Sequence, residues 1–248
     1  MNTYPEKYQI SYFGSWDDVV PSSETISLLL EAFQGENLLP TTIQQIALAA
    51  NGPKQIQRLR LASTEEEWVL DIEPNRINLS QTSSSPFVDL LGDVGEFASI
   101  GRGHILRVLN QFPKLGSRLA LVSRYFLDKI DTADTAQVLS LFVNPIRYYN
   151  ENPPVNWEVR SNARVPMDLG AKQELLNVIT KISRVQCTSS DESGFETESD
   201  RLKMEIDINT FQGNKETRFS EDHLGEFLSR AMTLESEIKH AIEEKIDA

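Results

Sequence analysis

Between Ser85 and Phe112 the chain carries a single apolar stripe that fixes what the rest must do. Phe87, Leu90, Leu91, Val94, Phe97, Ala98, Ile105, Val108, Leu109 and Phe112 recur at a helical period. Ser85 and Pro86 suit the N-cap and first helical position, since proline lacks an N–H that would have no partner there. Gly95, Gly101 and Gly103 interrupt the segment, and the Gly101-Arg102-Gly103 run predicts a kink or break. A stripe of this length has to be buried. The flanking segments read as strands, so a sheet is the surface it covers.

Alternation of apolar and polar residues predicts strands over Tyr8–Phe13, Gln55–Ala62, Glu67–Glu73, Arg76–Ser80, Ser117–Ile130, Asn156–Leu169, Leu175–Cys187 and Arg201–Phe211. The polar links Thr64-Glu65-Glu66 and Pro74-Asn75 suit antiparallel hairpins. Ser117–Ile130 is apolar on both faces, which predicts a central position in a sheet. Short helices are expected after Ser22 or Ser23, over Ile43–Ala50, and over Thr132–Val143 up to Pro145. A long one is expected over Ser220–Asp247, with Leu224, Phe227, Leu228, Ala231, Leu234, Ile238, Ala241, Ile242 and Ile246 on its apolar side. The expected class is α+β. Two similar halves, 1–130 and 131–248, would each be a mainly antiparallel sheet covered by one long amphipathic helix, together making one compact unit.

Charge narrows the function. The chain of 248 residues has a net charge of −13, with 10 basic and 14 acidic residues in 1–124 and 14 and 23 in 125–248. Such a chain is repelled by phosphate backbones, so direct nucleic-acid binding is not expected. A protein partner with a basic surface is. The segment Thr188–Asp200 holds Asp191, Glu192, Glu196, Glu198 and Asp200 and no basic residue. It reads as a hairpin-tip loop that offers acidic contacts to such a partner. No apolar run reaches the ~18 residues of a membrane span. The N-terminus lacks the basic-then-apolar pattern of a signal peptide. With Cys187 the single cysteine, a reducing cytoplasm is expected and an intrachain disulfide is excluded.

Catalytic signatures are sparse. The sequence contains no phosphate-binding glycine loop, no nucleophile elbow and no paired-histidine zinc motif. His104 lies in the first helical stripe and His223 and His240 far apart on the predicted terminal helix, none with a second ligand four positions on, and no cofactor is expected. Glu205, Asp207 and Asn209 fall on one face of a predicted strand, with successive side chains about 7 Å apart. Carboxylates so spaced can share a divalent ion, which makes Glu205 and Asp207 the ligands of an alternative, a metal-dependent hydrolase. The competing reading is the solvent face of a half-buried strand.

Arg124-Tyr125 inside an apolar strand, then Met204-Glu205-Ile206-Asp207-Ile208, then a long terminal helix form a recognisable layout. It resembles a sporadically distributed bacterial family of uncharacterised proteins of about this length. Phe126-Leu127-Asp128 stands where that family continues with an asparagine. The resemblance implies no defined activity. It associates the chain with toxin-neutralising or phage-defence genes. The expected function is therefore a non-catalytic, acidic protein-binding component, with Arg124, Tyr125 and the acidic segment as contact residues. A further alternative is a homodimeric structural subunit joined through the terminal helix.

Overall fold

β1 (Thr3–Phe13) is the middle strand of a nine-stranded sheet ordered β2-β3-β4-β5-β1-β6-β9-β8-β7. The computed structural model describes residues 2–49, 52–85, 91–130, 135–170, 172–190 and 196–247. The other strands are β2 (Leu39–Ala49), β3 (Gly52–Ala62), β4 (Trp68–Glu73), β5 (Arg76–Thr82), β6 (Arg118–Ile130), β7 (Glu158–Leu169), β8 (Lys172–Ser190) and β9 (Glu196–Thr210). Every neighbouring pair is antiparallel. The helices are α1 (Ser23–Ala32), α2 (Val94–Gln111), α3 (Thr135–Phe142), α4 (Arg147–Glu151) and α5 (Glu221–Asp247). Among the described residues no helix is long and apolar enough to cross a membrane.

Alternation decides which side chains meet the helices. Tyr8, Ile10 and Tyr12 of β1, Leu119, Leu121 and Tyr125 of β6, and Met204, Ile206 and Ile208 of β9 are buried on one face. α2 and α5 lie side by side over that face and bury Phe97, Ile105, Val108, Leu224, Phe227 and Ala231 against it. A leucine or phenylalanine fully removed from water there contributes roughly 1.5–3 kcal/mol. A buried ion pair ties the layers at one end: Arg218 donates to both Glu174 oxygens at 2.6 and 2.9 Å. Beside it the Tyr12 hydroxyl lies 2.6 Å from the Phe219 carbonyl, and burial raises that phenol to about 12.

The two expected halves do not exist as separate sheets. β1 pairs with β6 from Thr3↔Leu127 to Phe13↔Arg118, so all nine strands form one layer under a common helix face. Joining the two strand sets through β1 and β6 removes two edges that would otherwise stand open. β6 ends at Ile130, where the expected boundary fell, and pairs with β9 on its other side.

Three local expectations also change. The helix expected over Ile43–Ala50 is not formed by its described residues, Ile43–Ala49. Leu39–Ala49 is the edge strand β2, paired with β3 through to Ala49↔Gly52, and Gly52 has φ 106°. Asn51-Gly52 is a hairpin signal, and the pairing with β3 overrides the helical spacing of the apolar residues. The organising helix begins at Val94 rather than after Ser85. Asp93 caps it by accepting the Glu96 N–H at 2.8 Å. Pro86 lies outside the described residues. Finally, α2 runs unbroken through its glycines. A Cβ on Gly101 would come within 2.8 Å of Ile10 Cδ1 and 2.9 Å of Leu79 Cδ2, so this glycine sets how closely α2 approaches the sheet.

Candidate functional site

No helix among the described residues covers the second face of the sheet, and it is densely ion-paired. Arg60 grips Asp71 at 2.7 and 3.2 Å. Arg76 holds Glu73 at 3.1 Å, and Asn78 links that carboxylate to the Ser11 hydroxyl. On the other side of β1, Arg124 donates to Glu205 at 2.6 Å, while Lys181 lies 3.6 Å from Glu205 and 3.8 Å from Glu158. Lys203 pairs with Glu6, and Asn209 bridges Asn177 to Asp207. Each half-exposed pair contributes only ~0.2–1 kcal/mol. Together they hold long side chains in fixed places.

The balance of charge on this face runs against that of the chain. Among the described side chains, alternation places eleven basic ones here: Lys7, Arg58, Arg60, Arg76, Arg118, Arg124, Arg160, Arg164, Lys181, Arg201 and Lys203. It places eight acidic ones: Glu6, Asp71, Glu73, Asp128, Glu158, Asp168, Glu205 and Asp207. The whole chain is at −13. Lys7 stands opposite Arg124 in the ladder; burial and that neighbour lower its pKa. Arg118 stacks on the Phe13 ring at 3.8 Å without an ion-pair partner within 4 Å among the described residues, and burial lowers its pKa.

Arg124 and Tyr125 are adjacent but serve opposite faces. Tyr125 points under the helices at 2% exposure, and its hydroxyl donates to Glu235 at 2.6 Å. Ser123 donates to the same oxygen at 2.9 Å. Burial outweighs these bonds and raises the pKa of Glu235, and burial together with Glu235 raises that of Tyr125. Both groups line a cavity of about 440 Å³ with Tyr8, Asp93, Met232 and Lys239, under the start of α2. Tyr125 is thus placed in the core, not at a protein-contact surface. The sequence did carry a signal for Glu235: it occupies a stripe position of α5, four residues after Ala231 and seven before Ile242.

Glu205 and Asp207 share the open face as expected, with Glu205 paired to Arg124 and Lys181 and Asp207 held by Asn209. Burial pushes Glu205 up, yet Arg124 and Lys181 hold its pKa below the ordinary value. Asp207 is raised by burial and accepts from Asn209. Among the described residues no group of three or more His, Cys, Asp and Glu side chains is arranged to hold a metal ion.

The acidic segment is mostly strand. β8 runs to Ser190 and β9 starts at Glu196, paired residue by residue; Asp191 and Glu192 lie outside the described residues. Glu196 opens β9 opposite Ser190. Glu198 is exposed opposite Thr188. Asp200 is buried and accepts from Arg184 Nε and Nη2 at 3.0 and 2.8 Å, so it braces the hairpin rather than facing a partner.

No protein-family model matches the chain, no curated protein is similar to it, and no solved structure matches it.

Proposed function

We propose that this chain is a non-catalytic binding protein that receives another protein on the uncovered face of its sheet, in the manner of components of toxin-neutralising or phage-defence systems. One observation carries the reading: a rigid, ion-paired surface of strands, uncovered among the described residues, presents more basic than acidic groups on an otherwise acidic molecule. Fixed charges of both signs favour a specific partner and a fast encounter over non-specific adhesion. Net charge alone calls for a basic partner. The local balance calls for an acidic or mixed contact on this face, centred on Lys7, Arg118 and Arg124.

Tagged full-length protein incubated with lysate of the native host at low ionic strength tests this. A retained protein should be released by Lys7→Glu and by Arg118→Glu. It should stay bound to Glu237→Lys and Glu244→Lys, which reverse exposed charges on α5. Nothing retained by the unmodified chain, or retention that only the α5 variants abolish, overturns the reading.

A further inference from the structure

β7 closes the sheet with an edge exposed from Arg160 to Arg164. The Trp157 carbonyl accepts from the Arg184 N–H, so Trp157 directs its backbone groups towards β8. In an antiparallel ladder that direction alternates along the strand. Val159, Ser161 and Ala163 therefore also bond inward, and Glu158, Arg160, Asn162 and Arg164 point their N–H and C=O groups away from the sheet. Pro166 falls in the outward set. Its missing N–H costs the β7–β8 ladder nothing, and it ends the usable edge.

We propose that residues 158–164 of β7 pair antiparallel with the same segment of a second copy, about a twofold axis at Ser161. In that register Glu158 stands opposite the second copy's Arg164, twice over, and Arg160 stands opposite Asn162. Moving the axis one residue either way sets Arg160 against Arg160 or Arg160 against Arg164, and like charges directly opposite are unfavourable. The sequence of the edge thus selects one register of self-pairing. On the helix side, Val159 and Ser161 border a groove of about 340 Å³ floored by Phe142, Ile182, Ile238 and Ile242. Twofold pairing brings the two grooves together across the axis and covers them. The segment that leads into β7 leaves Ile146, Tyr148, Tyr149 and Val155 exposed, which adds apolar surface beside the edge. The pairing holds whether or not the open face receives a partner, and it would extend that face into one surface across both copies.

Sedimentation equilibrium of the full chain tests the proposal, with circular dichroism to show that each variant folds. The unmodified protein should sediment at twice 28.0 kDa. Arg164→Glu and Glu158→Arg should each weaken the dimer by about tenfold or more, since each turns two attractive pairs into two repulsive ones. The double swap Glu158→Arg/Arg164→Glu should restore it. Asn162→Pro, which removes an outward donor from each copy, should abolish it. A monomer at every concentration, a dimer indifferent to the single reversals, or a folded double swap that stays monomeric would each overturn the assignment.

Discussion

Gly101 and Gly103 sit two residues apart in α2 and should respond differently to the same substitution. Alanine is favoured over glycine in a helix by about 1 kcal/mol at either position. At Gly103 a Cβ meets nothing within 4 Å, so Gly103→Ala should gain that amount. At Gly101 the new Cβ falls 2.8 Å from Ile10 Cδ1 and 2.9 Å from Leu79 Cδ2, both on side chains with 0% exposure. Ordinary carbon contacts are about 3.5–4.0 Å, so the overlap approaches 1 Å on two sides. Overpacking of this kind costs about 1–3 kcal/mol. Gly101→Ala should therefore be neutral to destabilising by about 2 kcal/mol after the helical gain. The propensity cancels in the comparison, which leaves Gly101→Ala about 1–3 kcal/mol less stable than Gly103→Ala. For a chain of this size that is a gap of about 2–12 °C in Tm. Urea unfolding of both variants, read by tryptophan fluorescence and far-UV dichroism, measures it directly. Equal stabilisation by the two alanines would refute the claim that Gly101 sets the helix-to-sheet distance.

Other outcomes follow from the buried polar groups. Tyr125→Phe should cost roughly 1.5–3 kcal/mol in urea unfolding, because it leaves the Glu235 carboxyl with Ser123 as its remaining hydroxyl donor. The raised pKa of Glu235 means that its contribution is full below its unfolded value of 4.5 and is lost as pH rises; Glu235→Gln should flatten that limb of a Tm–pH profile. His104, stacked on Phe33 and lowered below 6.5 mainly by burial, acts in the opposite sense. The folded state resists its protonation, so stability should fall as pH drops below 6.5, and His104→Leu should remove that slope. Asp200→Ala should cost roughly 3 kcal/mol by stranding Arg184, whereas Arg184→Met/Asp200→Leu should cost far less in the same unfolding assay.

Side-chain direction was legible from the sequence because it is local. Alternation in β6 separated Arg124 from Tyr125, and the stripe of α5 named Leu224, Phe227, Leu228, Ala231 and Leu234, all of them buried. The same stripe placed a carboxylate at Glu235, inside the core. What alternation cannot carry is which strand lies beside which. Arg124 meets Glu205 across 81 residues and Tyr125 meets Glu235 across 110. Loop-closure entropy changes only slowly over such spans, so chain separation hardly favours one pairing over another. The β1–β6 junction, the conversion of Ile43–Ala49 from helical spacing to an edge strand, and the gathering of basic side chains on one face were all decided by strand order. That order follows from burying the whole apolar face at once, with the fewest open edges, and no single segment contains that information.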